Sequence, residues 1–315
     1  MTNETLPADL TDKLHQLAEK YAAMGQDLSA YLEGLLQADY LTYWDYIHLE
    51  TLLSLQNPRT AYPDELIFIT YHQSTELYFK LILHEVHQIA YHPALTAQFF
   101  AERLQRINRY FELLENSYAV MIDGMEKEQF LKFRMALLPS SGFQSVQFRE
   151  IEIVSTDFVR LLAGDFPAKT DPEQSVANWF PFLYWLAGAT ELATQQKTLT
   201  LKQFESHYTD RLIRLADEYR SRNLWQRFLQ VRQTGEETDA LIAQLREYDH
   251  RLNVRWKSLH LRSAMRYLHR NTDEIKTTGG TNWQKYLPPR EQKRIFYPEL
   301  WSETEQREWG RMNRS

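Results

Sequence analysis

The chain has 315 residues, a net charge of −6, a pI near 6.0 and no cysteine. The missing cysteines exclude disulfides, zinc fingers, iron–sulfur clusters and thiolate-ligated haem. The acidic balance argues against a nucleic-acid binder, whose domain normally carries a basic face. No apolar run is long enough to span a bilayer.

Only 10 Gly and 11 Pro occur, which favours helices over a turn-rich β fold. A hydrophobic fraction of 43% can build a sizeable core, and the 13% aromatic content suits a large flat pocket or an aromatic core. The first residues, MTNETLPADLTDKLHQ, lack the basic and apolar regions of a signal peptide, so the cytoplasm is the expected compartment.

Residues 8–37 read as amphipathic helix, with Leu10, Leu14, Leu17 and Tyr21 in register before Gly25 and Leu28, Tyr31, Leu32 and Leu35 after it. Tyr40–Ile47 is densely aromatic. It is either a core segment or an exposed arm that needs a partner surface. Asn57-Pro58 and Tyr62-Pro63 mark a break, and Asp64 and Glu65 then sit where helix N-terminal charge is favoured.

A long helix is expected from Asp64 to Ala90, with Phe68, His72, Glu76 and Phe79/Lys80 on one face. A histidine among phenylalanines is commonly just a satisfied core residue. His84-Glu85-Val86-His87 resembles a metal pair, but no third ligand is evident, and we read it as a solvated face. Helices follow over 95–120 and 127–138.

Residues 133–152, FRMALLPSSGFQSVQFREIE, form a helix–corner–helix pattern. Arg134, Gln144, Gln147, Arg149, Glu150 and Glu152 lie among its apolar residues. A buried arginine needs a partner. Either an internal Arg–Glu network forms, or Arg134 points at an anion from outside. Residues 164–178 read as a polar loop, Trp179–Ala193 as a buried segment, and Leu199–Leu215 and Leu224–Tyr248 as helices.

The last stretch with chemical potential is Tyr248–Leu287. Trp256, His260, Ser263/Ala264 and Tyr267 share a helix face, with Arg266 off it. Thr277-Thr278-Gly279-Gly280-Thr281 is either a plain surface loop or an anion cap. The segment Phe296–Trp301 is apolar enough to dock on the body. His260, with no acid at i±3 or i±4, is a chemically possible haem ligand. His72 is a possible distal group, and Arg134 with the Thr278 loop could hold a carboxylate. Spacing alone does not bring these residues together.

The motifs YWDY at 43–46, FITYHQSTELYFK from Phe68, FR…LPSSGFQSVQFR, and W-x-x-x-H at Trp256–His260 followed by TGG and YL occur in one order. In these motifs, over 43–85, 130–152 and 248–287, the chain resembles the tryptophan 2,3-dioxygenase family. Residues 160–245 carry no such match.

The resemblance implies an all-α fold, here a single large helical domain over 1–315 with a haem-binding bundle core. It implies an N-terminal arm, 1–50, exchanged with a neighbouring subunit, and a polar insertion falls near 164–206. It implies a haem b enzyme, a cytoplasmic homotetramer acting on a small aromatic amino acid, with no nucleic-acid or membrane partner. The reaction opens the indole 2,3 bond of L-tryptophan with O2, giving N-formyl-L-kynurenine. His260 is the implied proximal iron ligand, with Trp256 and Ser141 on the cofactor side. His72 is implied to meet the indole N–H, and Phe68 to pack on the ring. Arg134 is implied to pair with the substrate carboxylate, Thr278 to bind the amino-acid end, and a neighbour's Tyr43, Tyr46 and Ile47 to close the pocket.

Three departures from the family stand out. Phe130 replaces a tyrosine near the substrate carboxylate, the stretch between Arg266 and TGG is longer, and Thr281-Asn282-Trp283 replaces Ser-Ser-Gly. They keep two alternatives open: a related haem oxygenase or hydroxylase of another aromatic amino acid or indole derivative, and a non-enzymatic haem or ligand binder.

Overall fold

A computed structural model describes residues 6–38, 42–136, 144–164, 175–187, 196–268 and 288–311. These residues form helices and one isolated antiparallel bridge, Leu162 with Leu183, so the fold is all-α as expected. The chain divides into two compact units, residues 1–56 and 57–315.

The first unit contains α1 (Ala8–Ala23), α2 (Leu28–Leu36), α3 (Tyr43–Tyr46) and α4 (Leu49–Leu53). Gly25, at φ 68°, makes the expected break between α1 and α2, and Asp27 caps α2 through the Ser29 N–H at 2.9 Å. None of the four helices has a fully buried residue. Tyr43 is 72% exposed and Tyr46 74%. Within its own unit the described part of the aromatic stretch therefore forms no core.

The second unit is built on α5 (Asp64–Tyr91) and α6 (Ala97–Ser117), which pack along each other after the short connection 92–96. Their inward stripes have helical spacing: Tyr71, Thr75, Phe79, Ile82, Val86 and Ile89 on α5, and Phe100, Leu104, Ile107, Phe111 and Leu114 on α6. Each such aliphatic or aromatic side chain contributes roughly 1.5–3 kcal/mol on full burial. Asp64 does more than favour the dipole. Its carboxylate accepts the Glu126 N–H at 2.6 Å, tying the start of α5 to the chain entering α8 (Lys127–Ala136), beyond the short α7 (Ala119–Asp123).

Glu85 corrects the solvated-face reading of 84–87. It is buried and binds Arg106 at 3.2 Å and Arg103 at 3.7 Å, while His84 and His87 are exposed. The spacing placed Glu85 between two histidines but could not show that it turns inward.

After the corner, α9 (Val146–Ser155) is capped by Ser145, whose hydroxyl accepts the Phe148 N–H at 3.2 Å. Beyond Leu162 the chain forms α10 (Val176–Trp179) and α11 (Tyr184–Ala187), with Pro181 in the 3-10 turn between them. Trp179, Phe180, Leu183, Trp185 and Leu186 are buried, as expected for that segment. Residues 176–178, expected in the polar loop, belong to α10, with Val176 buried; residues 165–174 of that stretch lie outside the described residues.

The next helix is α12 (Leu199–Glu218). The helix expected over Leu224–Tyr248 is two helices, α13 (Leu224–Gln233) and α14 (Asp239–His250), because Gly235 takes φ 80° between them. The chain then continues through a π-turn, Arg251–Arg255, straight into α15 (Trp256–Leu268). Phe296 and Tyr297 dock in the core beside Trp225, as their apolarity suggested.

Candidate active site

The fold brings His72 and His260 together. Tyr71 meets the His72 ring edge-on at 5.7 Å and Tyr118 at 5.8 Å. Tyr118 in turn meets His260 at 5.1 Å and Trp256 at 5.1 Å. Two tyrosines that sequence reasoning did not single out thus bridge the helices. Tyr118 had a signal, since it continues the α6 stripe through Phe111 and Leu114.

On the α5 side, Phe68 lies 4.0 Å from the His72 ring centroid. Phe133 and Phe130 follow at 5.7 and 6.2 Å from Phe68, and Tyr267 of α15 packs on Phe130 at 4.4 Å. These rings make a continuous apolar wall from α5 across α8 to α15. Phe130 brings no hydroxyl to it.

The tautomers follow from the acceptors. His72 Nδ1 is 2.7 Å from the Phe68 carbonyl oxygen, and His260 Nδ1 is 3.2 Å from the Trp256 carbonyl oxygen. A carbonyl only accepts, so each Nδ1 carries the proton and each Nε2 keeps a lone pair. Burial pushes His260 down to about 4, against the Trp256 hydrogen bond, and the charge of nearby His72 adds to that shift. Burial also lowers His72, although its ring keeps an exposed edge. Both imidazoles are therefore neutral near pH 7.

The first of the two expected uses of arginine occurs. Arg149 is buried and paired, at 2.6 Å from Glu152 and 3.3 Å from the Tyr184 hydroxyl, so the internal network exists. Arg134 stands outside it. It is half-buried, has no hydrogen-bond or ion-pair partner among the described residues, and burial alone lowers its pKa. An anion arriving beside it would relieve that cost. Gln147 donates to the Glu76 carboxylate at 2.8 Å, joining α9 to α5 one turn beyond His72.

The donor set fits a haem: a neutral, oriented imidazole at His260 on a helix flanked by Trp256 and Tyr118. No group of three or more potential metal-ligating side chains occurs among the described residues. A second protein ligand set is therefore not offered there. Ser141 and Thr278 lie outside the described residues. Tyr43, Tyr46 and Ile47 belong to the first unit. Of two open hollows, of about 620 and 490 Å³, neither is lined by His72 or His260, although Tyr71 lines the second. Among the described residues, no helix is long and apolar enough to cross a membrane.

Residues 34–157 match the tryptophan 2,3-dioxygenase family model. The tryptophan 2,3-dioxygenase of Ruegeria sp. is 43% identical over 119 residues, covering 37% of this chain and 42% of that protein. That of Herpetosiphon aurantiacus is 39% identical over 157 residues, covering 46% of this chain and 59% of the relative. That of Nocardioides sp. is 42% identical over 127 residues, covering 38% and 47%. The matched stretches thus span 42 to 59% of those relatives' own length. The resemblance read from the motifs holds along residues 34–157, which include Phe68, His72, Phe130 and Arg134. His260 lies beyond them.

Proposed function

With residues 34–157 carrying the tryptophan 2,3-dioxygenase family pattern, we propose that the chain is a haem-dependent dioxygenase. It opens the indole 2,3 bond of L-tryptophan with O2 and gives N-formyl-L-kynurenine. The observation that carries this reading is the meeting of two neutral histidines, each with Nδ1 held by a backbone carbonyl, in a unit where Arg134 has no partner among the described residues.

In this reading His260 holds the iron of haem b through Nε2, with Trp256 orienting it from the carbonyl side. The haem supplies O2 activation when bound. Phe68 and Phe130 receive the indole on an apolar surface. His72 Nε2 accepts the indole N–H and so sets the ring's rotation. It does not need to remove that proton, since indole N–H is a very weak acid. Arg134 takes the substrate carboxylate in a forked pair, strengthened by the apolar wall beside it. Orientation of this kind converts encounter into a positioned reaction and excludes water.

Ser141 on the distal side and Thr278 at the amino-acid end complete the proposed set. Tyr43, Tyr46 and Ile47 would come from a neighbouring chain of a cytoplasmic homotetramer. The exposure of Tyr43 and Tyr46 supports an arm of 1–50 that is covered by another copy.

A second reading is a related haem oxygenase or hydroxylase of another aromatic amino acid or indole derivative. Phe130 favours it, because the wall lacks the hydroxyl that would add a donor near the carboxylate. Turnover separates the two. Haem-loaded protein given L-tryptophan and air should accumulate formylkynurenine absorbance. A hydroxylated product from L-tyrosine or a substituted indole, with none from L-tryptophan, supports the second reading. Haem binding without any turnover makes the chain a non-enzymatic binder.

A further inference from the structure

A column of buried polar groups runs beneath the His260 helix, apart from the aromatic wall. It starts at Asp249, which has no solvent exposure. Its carboxylate accepts Asn253 Nδ2 at 2.8 Å, the Phe296 N–H at 3.0 Å, the Tyr297 N–H at 3.2 Å and Trp301 Nε1 at 3.1 Å. Asn253 Oδ1 then accepts Lys257 Nζ at 3.1 Å. Lys257 Nζ also reaches the Tyr184 hydroxyl at 3.2 Å, and Tyr184 donates to Glu152, the partner of Arg149.

The segment Phe296–Trp301 is itself anchored. Thr156 Oγ1 donates to the Phe296 carbonyl at 2.8 Å, and the Tyr297 hydroxyl to the Ser155 carbonyl at 3.0 Å. Through Asp249 a distant part of the chain is bonded to the π-turn Arg251–Arg255.

That turn leads directly into Trp256, whose carbonyl and ring together set the His260 imidazole. A single π-helical turn inside an α-helix is rare and is found frequently at functional sites. A carboxylate has about four lone-pair sites, and Asp249 fills them from both the turn and the docked segment. Losing this acceptor would let the turn relax toward ordinary helix, which rotates Trp256 and His260 about the axis.

We propose that Asp249 is a positioning residue: with Phe296–Trp301 it holds the π-turn that aims His260. The proposal rests on the iron-ligand role given to His260 above.

Full-length D249A and W301F variants test it by two readouts. The first is amide hydrogen exchange of haem-free protein. The second is haem titration by the Soret band, with the ferrous iron–histidine stretching band. In D249A, exchange across residues 251–268 should rise about ten-fold or more, as loss of charged hydrogen bonds implies, with 64–117 unchanged. Haem affinity should fall about ten-fold and the stretching band should shift. W301F, which removes one donor, should move the same readouts less.

Faster exchange confined to 288–311, with haem affinity and band unchanged, would overturn the proposal and leave Asp249 a tail anchor. If D249A exchanges as an unfolded chain throughout, W301F decides by the same criteria. If the wild type binds no haem, the His260 reading fails on its own, and the exchange pattern still decides whether Asp249 holds the turn.

Discussion

His72 and His260 each give Nδ1 to the carbonyl four residues earlier, yet their surroundings differ. His72 stands at an exposed edge with the Phe68 ring tilted against it, and Arg134, on the helix that carries Phe130 and Phe133, has no partner among the described residues. His260 sits on a helix whose root is bonded through Lys257, Asn253 and Asp249 into the protein interior. The first histidine lies against an aromatic wall, and the second is braced from behind by a buried polar column. In the proposed reading that contrast would separate the substrate side from the cofactor side.

The difference is sharpest if each wall fails in its own way. The largest effect is expected from His260→Ala, which should purify without haem while keeping the helical content of the wild type. Absorbance against protein concentration checks it, and a full complement of haem with an unchanged spectrum would remove His260 as ligand. Arg134→Ala should bind haem normally but lose roughly 2–5 kcal/mol of L-tryptophan binding, as expected for a desolvated charge pair. Titration of the haem spectrum with substrate measures that loss.

His72→Ala should also keep haem. Its cost should be smaller, about 0.5–1.5 kcal/mol for one neutral hydrogen bond to the indole, read from the same titration with L-tryptophan. Indole methylated at nitrogen should not distinguish this variant from the wild type.

A further effect concerns pH and the braced wall alone. Burial pushes Lys257 down to about 7, with Glu152 opposing the shift. In the unfolded chain a lysine titrates near about 10.4. Between those values the unfolded chain binds a proton that the native state has lost, so stability rises with pH across this window. Below about 7 both states are charged and the native state carries the whole burial cost. Lys257→Met should flatten the rise in denaturant midpoint between about pH 7 and about pH 10, whereas a His72 variant should keep it.

The all-α class was legible from the sparse Gly and Pro and from the helical stripes. So were the acidic first turn at Asp64 and Glu65, the break at Gly25 and the docking of Phe296. Residue spacing named His72, His260 and Arg134 as chemically able, and the motif resemblance gave them roles. It could not bring the two histidines together, because the link runs through Tyr71, on the inward stripe of α5, and Tyr118, at the end of α6. Glu85 was misjudged for a related reason: its arginine partners lie on α6, out of reach of a local pattern. The π-turn at Arg251–Arg255 and the column behind it had no local signature either, since Asp249 is satisfied by residues from the far end of the chain.

The most direct test of the proposed reading is an anaerobic titration of the ferrous, haem-loaded protein with L-tryptophan, followed by air. The account predicts a saturable shift of the haem spectrum on adding substrate, then absorbance of formylkynurenine once O2 enters. A ferrous haem spectrum that does not respond to L-tryptophan and yields no product would contradict it.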